Sequence, residues 1–274
     1  MASFLFIVSC SNNKKEIVSN NGKTSLNTDS LKQVFCPVIN GVWVQSVYID
    51  EIEKTKSPQK SSNKFAFISA ITINESIKSD SINMGVSLGN HEGFGYTVYF
   101  ETGQNNNSLK TNIIDYENPS NFYELGYEKI KSGIYLFIYH YDKNNRLLDK
   151  TKYTKVSLQI DDDMAYGIQL VVNEKIFSGE YFYIDSTNVE RQVIFKTDGS
   201  VSGLLNFKTY YILTDFATSP EDSPDIVIFD LYQPSSKEFA FQIKKDSIFL
   251  YNYSIKEDDK YRLDSLVYTF VRQK

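Results

Sequence analysis

The sequence predicts an all-β fold of two small antiparallel β-barrels joined by a short helical linker, and three observations carry that prediction. Beyond residue 40, short runs rich in Val, Ile, Phe, Tyr and Thr are separated by Gly, Asn, Asp and Ser, the pattern of strands and tight turns. No helical crossovers stand between the runs, which favours an antiparallel sandwich or barrel over a parallel sheet. The pattern also repeats: Leu136-Phe137-Ile138-Tyr139-His140-Tyr141 matches Ile248-Phe249-Leu250-Tyr251-Asn252-Tyr253 in residue type. Tyr153-Thr154-Lys155-Val156 answers Tyr268-Thr269-Phe270-Val271, and Gly41-Val42-Trp43 answers Gly179-Glu180-Tyr181. Two related units of roughly a hundred residues account for this, with chance likeness of tyrosine-rich strands as the competing account.

Composition bounds the function classes. With 274 residues, 41% of them hydrophobic, the chain is long enough for one large or two small cores. Its 20 Tyr and 19 Phe exclude wholesale disorder. A formal net charge of −5, with acidic and basic residues interspersed, gives no electrostatic reason to bind nucleic acid.

The chain opens with the apolar run Phe4-Leu5-Phe6-Ile7-Val8-Ser9 and then Cys10. This resembles the lipobox of a bacterial lipoprotein signal peptide, and the resemblance implies cleavage after residues 1–9 and lipid attachment at Cys10. The run is far shorter than the ~20 residues a spanning helix needs. It is short even for a signal peptide and lacks a preceding Lys or Arg, so the true start is expected upstream of Met1. A frayed, greasy N-terminus is the alternative. No acidic cluster follows Cys10, which, within that resemblance, favours an outer-membrane anchor facing the periplasm over surface exposure. If Cys10 carries lipid, Cys36 has no disulfide partner and is a small buried hydrophobe or a lone thiol.

Residues 11–35, rich in Asn, Ser, Lys and Thr, read as a flexible tether. The first β unit is placed at 36–160, with strands at 42–49, 65–73, 81–88, 95–100 and 134–141, and a polar segment at 50–56 that is either a helix or a solvated turn. Asp161-Asp162-Asp163 offers an N-cap and favourable charge for a helix starting near Met164, while Gly167 and Val171-Val172 argue against it; 161–177 is read as the short linker helix. The second unit spans 178–274, with strands at 191–195, 225–231, 239–243, 247–253 and 263–271.

Catalytic signatures are scarce. The two histidines, His91 and His140, exclude a three-histidine metal site, and Asn90-His91-Glu92-Gly93-Phe94-Gly95 lacks the second histidine of a His-Glu-x-x-His helix. Either His91, Glu92 and His140 converge across strands as a metal or acid/base site, or Asn90 and Gly93 simply make a hairpin turn. His140 holds the repeat position of Asn252; both are candidate ligand contacts at a barrel mouth or else face solvent. Gly199 to Gly203 frames Val201 rather than a nucleophile, and Asp161 to Asp163 lacks the calcium-loop glycine. No cofactor motif is present.

Gly41 and Trp43 on the first strand, Gly179 and Tyr181 on its repeat, the 195–203 hairpin and Arg272 on the closing strand together resemble the lipocalin-like domains of bacterial envelope lipoproteins. The resemblance implies a barrel plug, in which Trp43 or Tyr181 fills the narrow end and a cation such as Arg272 stacks on the ring. In the first unit Ser157 holds the place of Arg272, so Lys155 or Lys152 must substitute. It further implies a non-enzymatic, lipid-anchored envelope protein whose cavity holds a small apolar or amphipathic ligand. The alternatives are filled barrels that dock an envelope protein or a glycan, and an enzyme centred on His91, Glu92 and His140.

Overall fold

The computed structural model describes residues 27–75, 78–215, 223–256 and 260–273. Cys10 and residues 11–26 lie outside the described residues. Eight antiparallel strands form a closed barrel in which each strand pairs with its sequence neighbour and the last returns to the first. They are β1 (Gly41–Gln45), β2 (Ile68–Ile73), β3 (Ser81–Leu88), β4 (Glu92–Thr102), β5 (Ser108–Ile114), β6 (Phe122–Ile130), β7 (Gly133–Tyr141) and β8 (Leu147–Ser157). A second sheet follows: β9 (Gly179–Ile184), β10 (Glu190–Phe195), β11 (Val201–Ser202), β12 (Tyr210–Ile212), β13 (Asp225–Phe229), β14 (Lys237–Lys244), β15 (Ser247–Ile255) and β16 (Tyr261–Arg272).

The expectation of two closed barrels holds for the first unit only. The second sheet is antiparallel and also brings its last strand, β16, beside its first, β9, but its ladder is open between β11 and β12. Those two strands are too short to sustain a ladder, and only the Ser200–Thr209 bridge, with backbone bonds from Val201 to Lys208 and from Tyr210 to Gly199, spans the gap.

Helices occupy the places where the sequence suggested tether and linker. The segment expected as tether contains the start of α1 (Thr28–Ile39), capped by the Asn27 side chain, which accepts from Ser30 N at 2.8 Å. Leu31, Phe35, Cys36 and Ile39 recur at helical spacing and are buried in the first barrel's core cluster with Trp43. Polar composition concealed this helix because its apolar stripe is only four residues wide. The polar segment at 50–56, readable as a helix or a solvated turn, falls in α2 (Ser46–Thr55), which shortens β1 to five residues; a one-turn helix, α3 (Pro58–Ser61), follows.

The linker is the middle of the molecule. It contains α4 (Tyr166–Val172), which runs into a π-helical turn at Asn173–Phe177. The aspartates shape the turn before it, Asp163 Oδ1 accepting from Ala165 N at 2.9 Å. Gly167, which argued against a helix, is what lets α4 lie on β1: a Cβ there would stand 2.6 Å from Val42 Cγ1. Every residue of β1 is therefore buried, Trp43 within the barrel and Val42 and Val44 towards the helix. Ile168, Val172 and Phe177 join Val44, Tyr48 and Ile52 of the first unit to the aromatic core of the second in one cluster.

A half-buried carboxylate crosses the same boundary. Asp225 on β13 accepts from Gln59 N of α3 at 2.8 Å, and burial raises its pKa from 3.8 to about 6. A raised acid binds its proton more tightly in the folded than in the unfolded state, so its contribution to stability is present below about pH 4 and is lost as pH rises towards 6. Asp225→Asn keeps the acceptor oxygen and is expected to remove that decline, on the order of 2–3 kcal/mol. Denaturant midpoints of both proteins between pH 4 and 7 provide the check; parallel curves would refute it.

Candidate functional site

The two units carry the same device where their first strand leaves a helix. In the first, Trp43 is fully buried, its indole Nε1 donates to Ile39 O at 2.7 Å, and Lys155 Nζ lies 4.6 Å from its ring centre while donating to Val38 O and Asn40 O. In the second, Tyr181 OH donates to Phe177 O at 2.9 Å, and the Arg272 guanidinium stacks 4.9 Å from its ring while donating to Ser178 O. Register makes the pairs equivalent, Trp43 lying opposite Lys155 and Tyr181 opposite Arg272. Gly41 and Gly179 precede the rings at φ 126° and 149°, and a Cβ at Gly179 would stand 2.5 Å from Arg272 Nη1. Burial lowers the Lys155 pKa and pushes that of Tyr181 up to about 12, against the opposing pull of Arg272. In each unit the cation satisfies helix-end carbonyls and covers a ring.

At the opposite end of the first barrel, alternation along β7 turns His140 towards the interior with Leu136 and Ile138, while Phe137, Tyr139 and Tyr141 form an aromatic cluster of their own. His140 Nε2 lies 3.0 Å from Asp115 Oδ2, its Nδ1 lies 3.0 Å from Asp149 Oδ2, and its ring stacks on Tyr123 at 4.3 Å. The Asp115 carboxyl is held below its usual range, first by the Asn118 N–H and then by Asn121. Burial, followed by the charge of Asp115, pushes Tyr123 up to about 12. Both imidazole nitrogens are engaged, so His140 ties the β5–β6 loop at Asp115 to β8 at Asp149. The hollow beside it, bordered by Phe67, Ile113 and Tyr153, measures only ≈ 180 Å³.

His91 sits at the β3–β4 turn and takes a different partner: its Nδ1 lies 3.0 Å from both oxygens of Asp215 in the second unit, which raises its pKa, with Glu92 contributing least. The turn itself docks the units. Asn90 donates to Thr214 O and Oγ1 at 2.7 and 2.8 Å, and Gln169 of α4 reaches the same hydroxyl at 2.9 Å. Among the described residues no group of three or more His, Cys, Asp or Glu side chains is placed to hold a metal ion. Asn252 is exposed on β15 and donates to Ser265 Oγ at 2.9 Å.

The larger hollow is in the second unit. β9 and β16 pair only at Tyr181–Arg272 and Phe182–Val271. Continued, that register would set Tyr183 against Phe270 and Ile184 against Thr269, but the strands splay. Two contiguous hollows of ≈ 510 and ≈ 660 Å³ open along the split, sharing Tyr183, Ile184, Val267 and Tyr268. Tyr183 and Tyr268, 5.9 Å apart edge to face, belong to the core cluster and its margin and form the floor. At the rim Arg191 Nε donates to Asp185 Oδ2 at 2.9 Å, and the Asp185 carboxyl, bonded first by the Thr187 hydroxyl, is held well below the usual range. The lips expose Ile184 (58%) and Leu266 (51%).

Sequence reasoning singled out none of Tyr183, Asp185, Arg191 or Leu266, since each is an ordinary strand or turn residue. Tyr268 stood inside the repeat but carried no further signal. No helix among the described residues is long and apolar enough to cross a membrane. No protein-family description, curated protein or solved structure matches the chain.

Proposed function

We propose that this is a non-enzymatic envelope protein, anchored through a lipid on Cys10 and facing the periplasm, whose second unit is an incompletely closed lipocalin-like barrel that binds a small apolar or amphipathic ligand. The β9–β16 cleft carries the reading. Its volume lies in the range of small-molecule sites, and an aromatic floor with a few polar rim groups suits a ligand with an apolar body and a polar end. The first barrel, packed with side chains from Trp43 to Tyr153, serves as a rigid mount.

Native mass spectrometry of the full chain purified from its host envelope tests the proposal. A reproducible small-molecule adduct near one per chain is expected, together with an acyl mass on Cys10. Ile184→Trp, placed on the exposed lip, should fill the cleft and reduce adduct occupancy at least fivefold with the circular dichroism unchanged. A bare protein mass, or an adduct indifferent to Ile184→Trp, would refute the cleft as the site; the absence of acylation would refute the anchor.

A further inference from the structure

We infer that the cleft takes an extended peptide segment as an added strand on β16, so that its small amphipathic ligand is a short peptide with alternating apolar side chains. The inference rests on the reading that the cleft is the binding site and names what enters it. Beyond Phe182–Val271, one edge of β16 loses its β9 partner while the other stays paired to β15 as far as Tyr261, with bulges between Tyr268 and Leu266 and between Leu266 and Leu263. β9 is likewise paired to β10 as far as Ile184–Glu190 but has no strand opposite Tyr183 and Ile184 on the cleft side.

Main-chain donors and acceptors along a strand edge are met by water or by another main chain, and an acyl tail satisfies neither. The composition of the free lip also fits. Leu266, Val267, Tyr268 and Thr269 carry no charge, whereas Arg262 and Asp264, the residues that would repel an incoming strand, stand farther along and pair with each other at 2.9 Å. The repeat supplies an internal comparison. In the first unit β8 likewise outruns β1, but Ala66, Phe67 and Ile68 lie across from Asp149, Thr151 and Tyr153 and leave only ≈ 180 Å³. In the second unit Asp185, Ser186, Gly203 and Leu205 border the hollow with Val267 and Tyr268 but leave ≈ 510 and ≈ 660 Å³, and side chains on alternate positions of an added strand would reach Tyr183 and Tyr268 while the others face water.

The probe is a fluorescent Lys-Thr-Val-Thr-Val-Thr-Lys peptide, acetylated and amidated, titrated into the full chain and followed by anisotropy. A second peptide is N-methylated on alternate amides, which removes strand-pairing donors and keeps every side chain; dodecanoic acid is the lipid comparison. Saturable binding of the first peptide is expected, at least tenfold weaker for the N-methylated form and at least tenfold weaker in Leu266→Lys, which places a charge on the exposed lip. Equal binding of both peptides would overturn the inference, as would self-association of the chain through this edge. Binding of dodecanoic acid but not peptide would overturn it while leaving the cleft as the site; binding of neither would overturn both.

Discussion

Trp43→Ala is expected to cost about 3–5 kcal/mol of folding free energy. Three losses combine at one side chain. The indole is fully buried among Ile, Leu and Tyr side chains of the first barrel, so truncation leaves a cavity that the closed ladder cannot collapse around. Its Nε1 donation to Ile39 O ties the end of α1 to the barrel, and without it that carbonyl loses a partner at a buried helix terminus. Lys155 loses the ring beneath it, although its bonds to Val38 O and Asn40 O remain. Lys155→Met should cost about 1–3 kcal/mol, since it leaves those carbonyls without their ammonium donor. The double variant should cost less than the sum, with a coupling of about 1 kcal/mol from the shared cation–ring contact. Urea midpoints of the four proteins measure this, and strict additivity would refute the plug as a unit.

Phe177→Ala is expected to be comparably severe, about 3–5 kcal/mol, and to destabilise both units together. The ring ends the linker helix and packs against Phe195, Tyr210 and Phe241 at 5.1 to 5.5 Å, while the same cluster includes Val44, Tyr48, Ile52 and Ala70 of the first unit. A core shared in this way cannot be emptied on one side without loosening the other. Trp43 is the chain's single tryptophan and lies in the first barrel, so its fluorescence reports that unit, while far-ultraviolet circular dichroism reports both. The two midpoints should coincide in the native protein and shift together in Phe177→Ala. An unmoved fluorescence midpoint would mean that the units fold independently.

The repeat shows how far residue pattern reached. Leu136 and Ile248 were matched by type, and they hold equivalent places, one opposite Tyr153 and the other opposite Phe270. Tyr153 resembles Tyr268 in type but takes the place of Phe270, two residues on, because the longer second hairpin and its bulges set which residue faces the partner strand. The same shift makes Lys155, not Ser157, the counterpart of Arg272.

Alternating strands, the turn at Asn90, the glycine and ring at the head of each unit and the doubling of the chain were determined by the sequence alone, because each depends on neighbours along the chain. Tertiary structure alone decided the rest. Gly167 reads as a helix breaker until β1 lies against it, and the apolar side of α1 reads as tether until a barrel end accepts it. The sequence leaves open whether His91 and His140 converge on one site or stand apart, and the fold assigns them Asp215 on one side and Asp115 with Asp149 on the other. The cleft has no local signature at all: it arises because two strands, nearly ninety residues apart in the chain, pair at two positions and then diverge, and divergence belongs to the packing beneath them rather than to either strand.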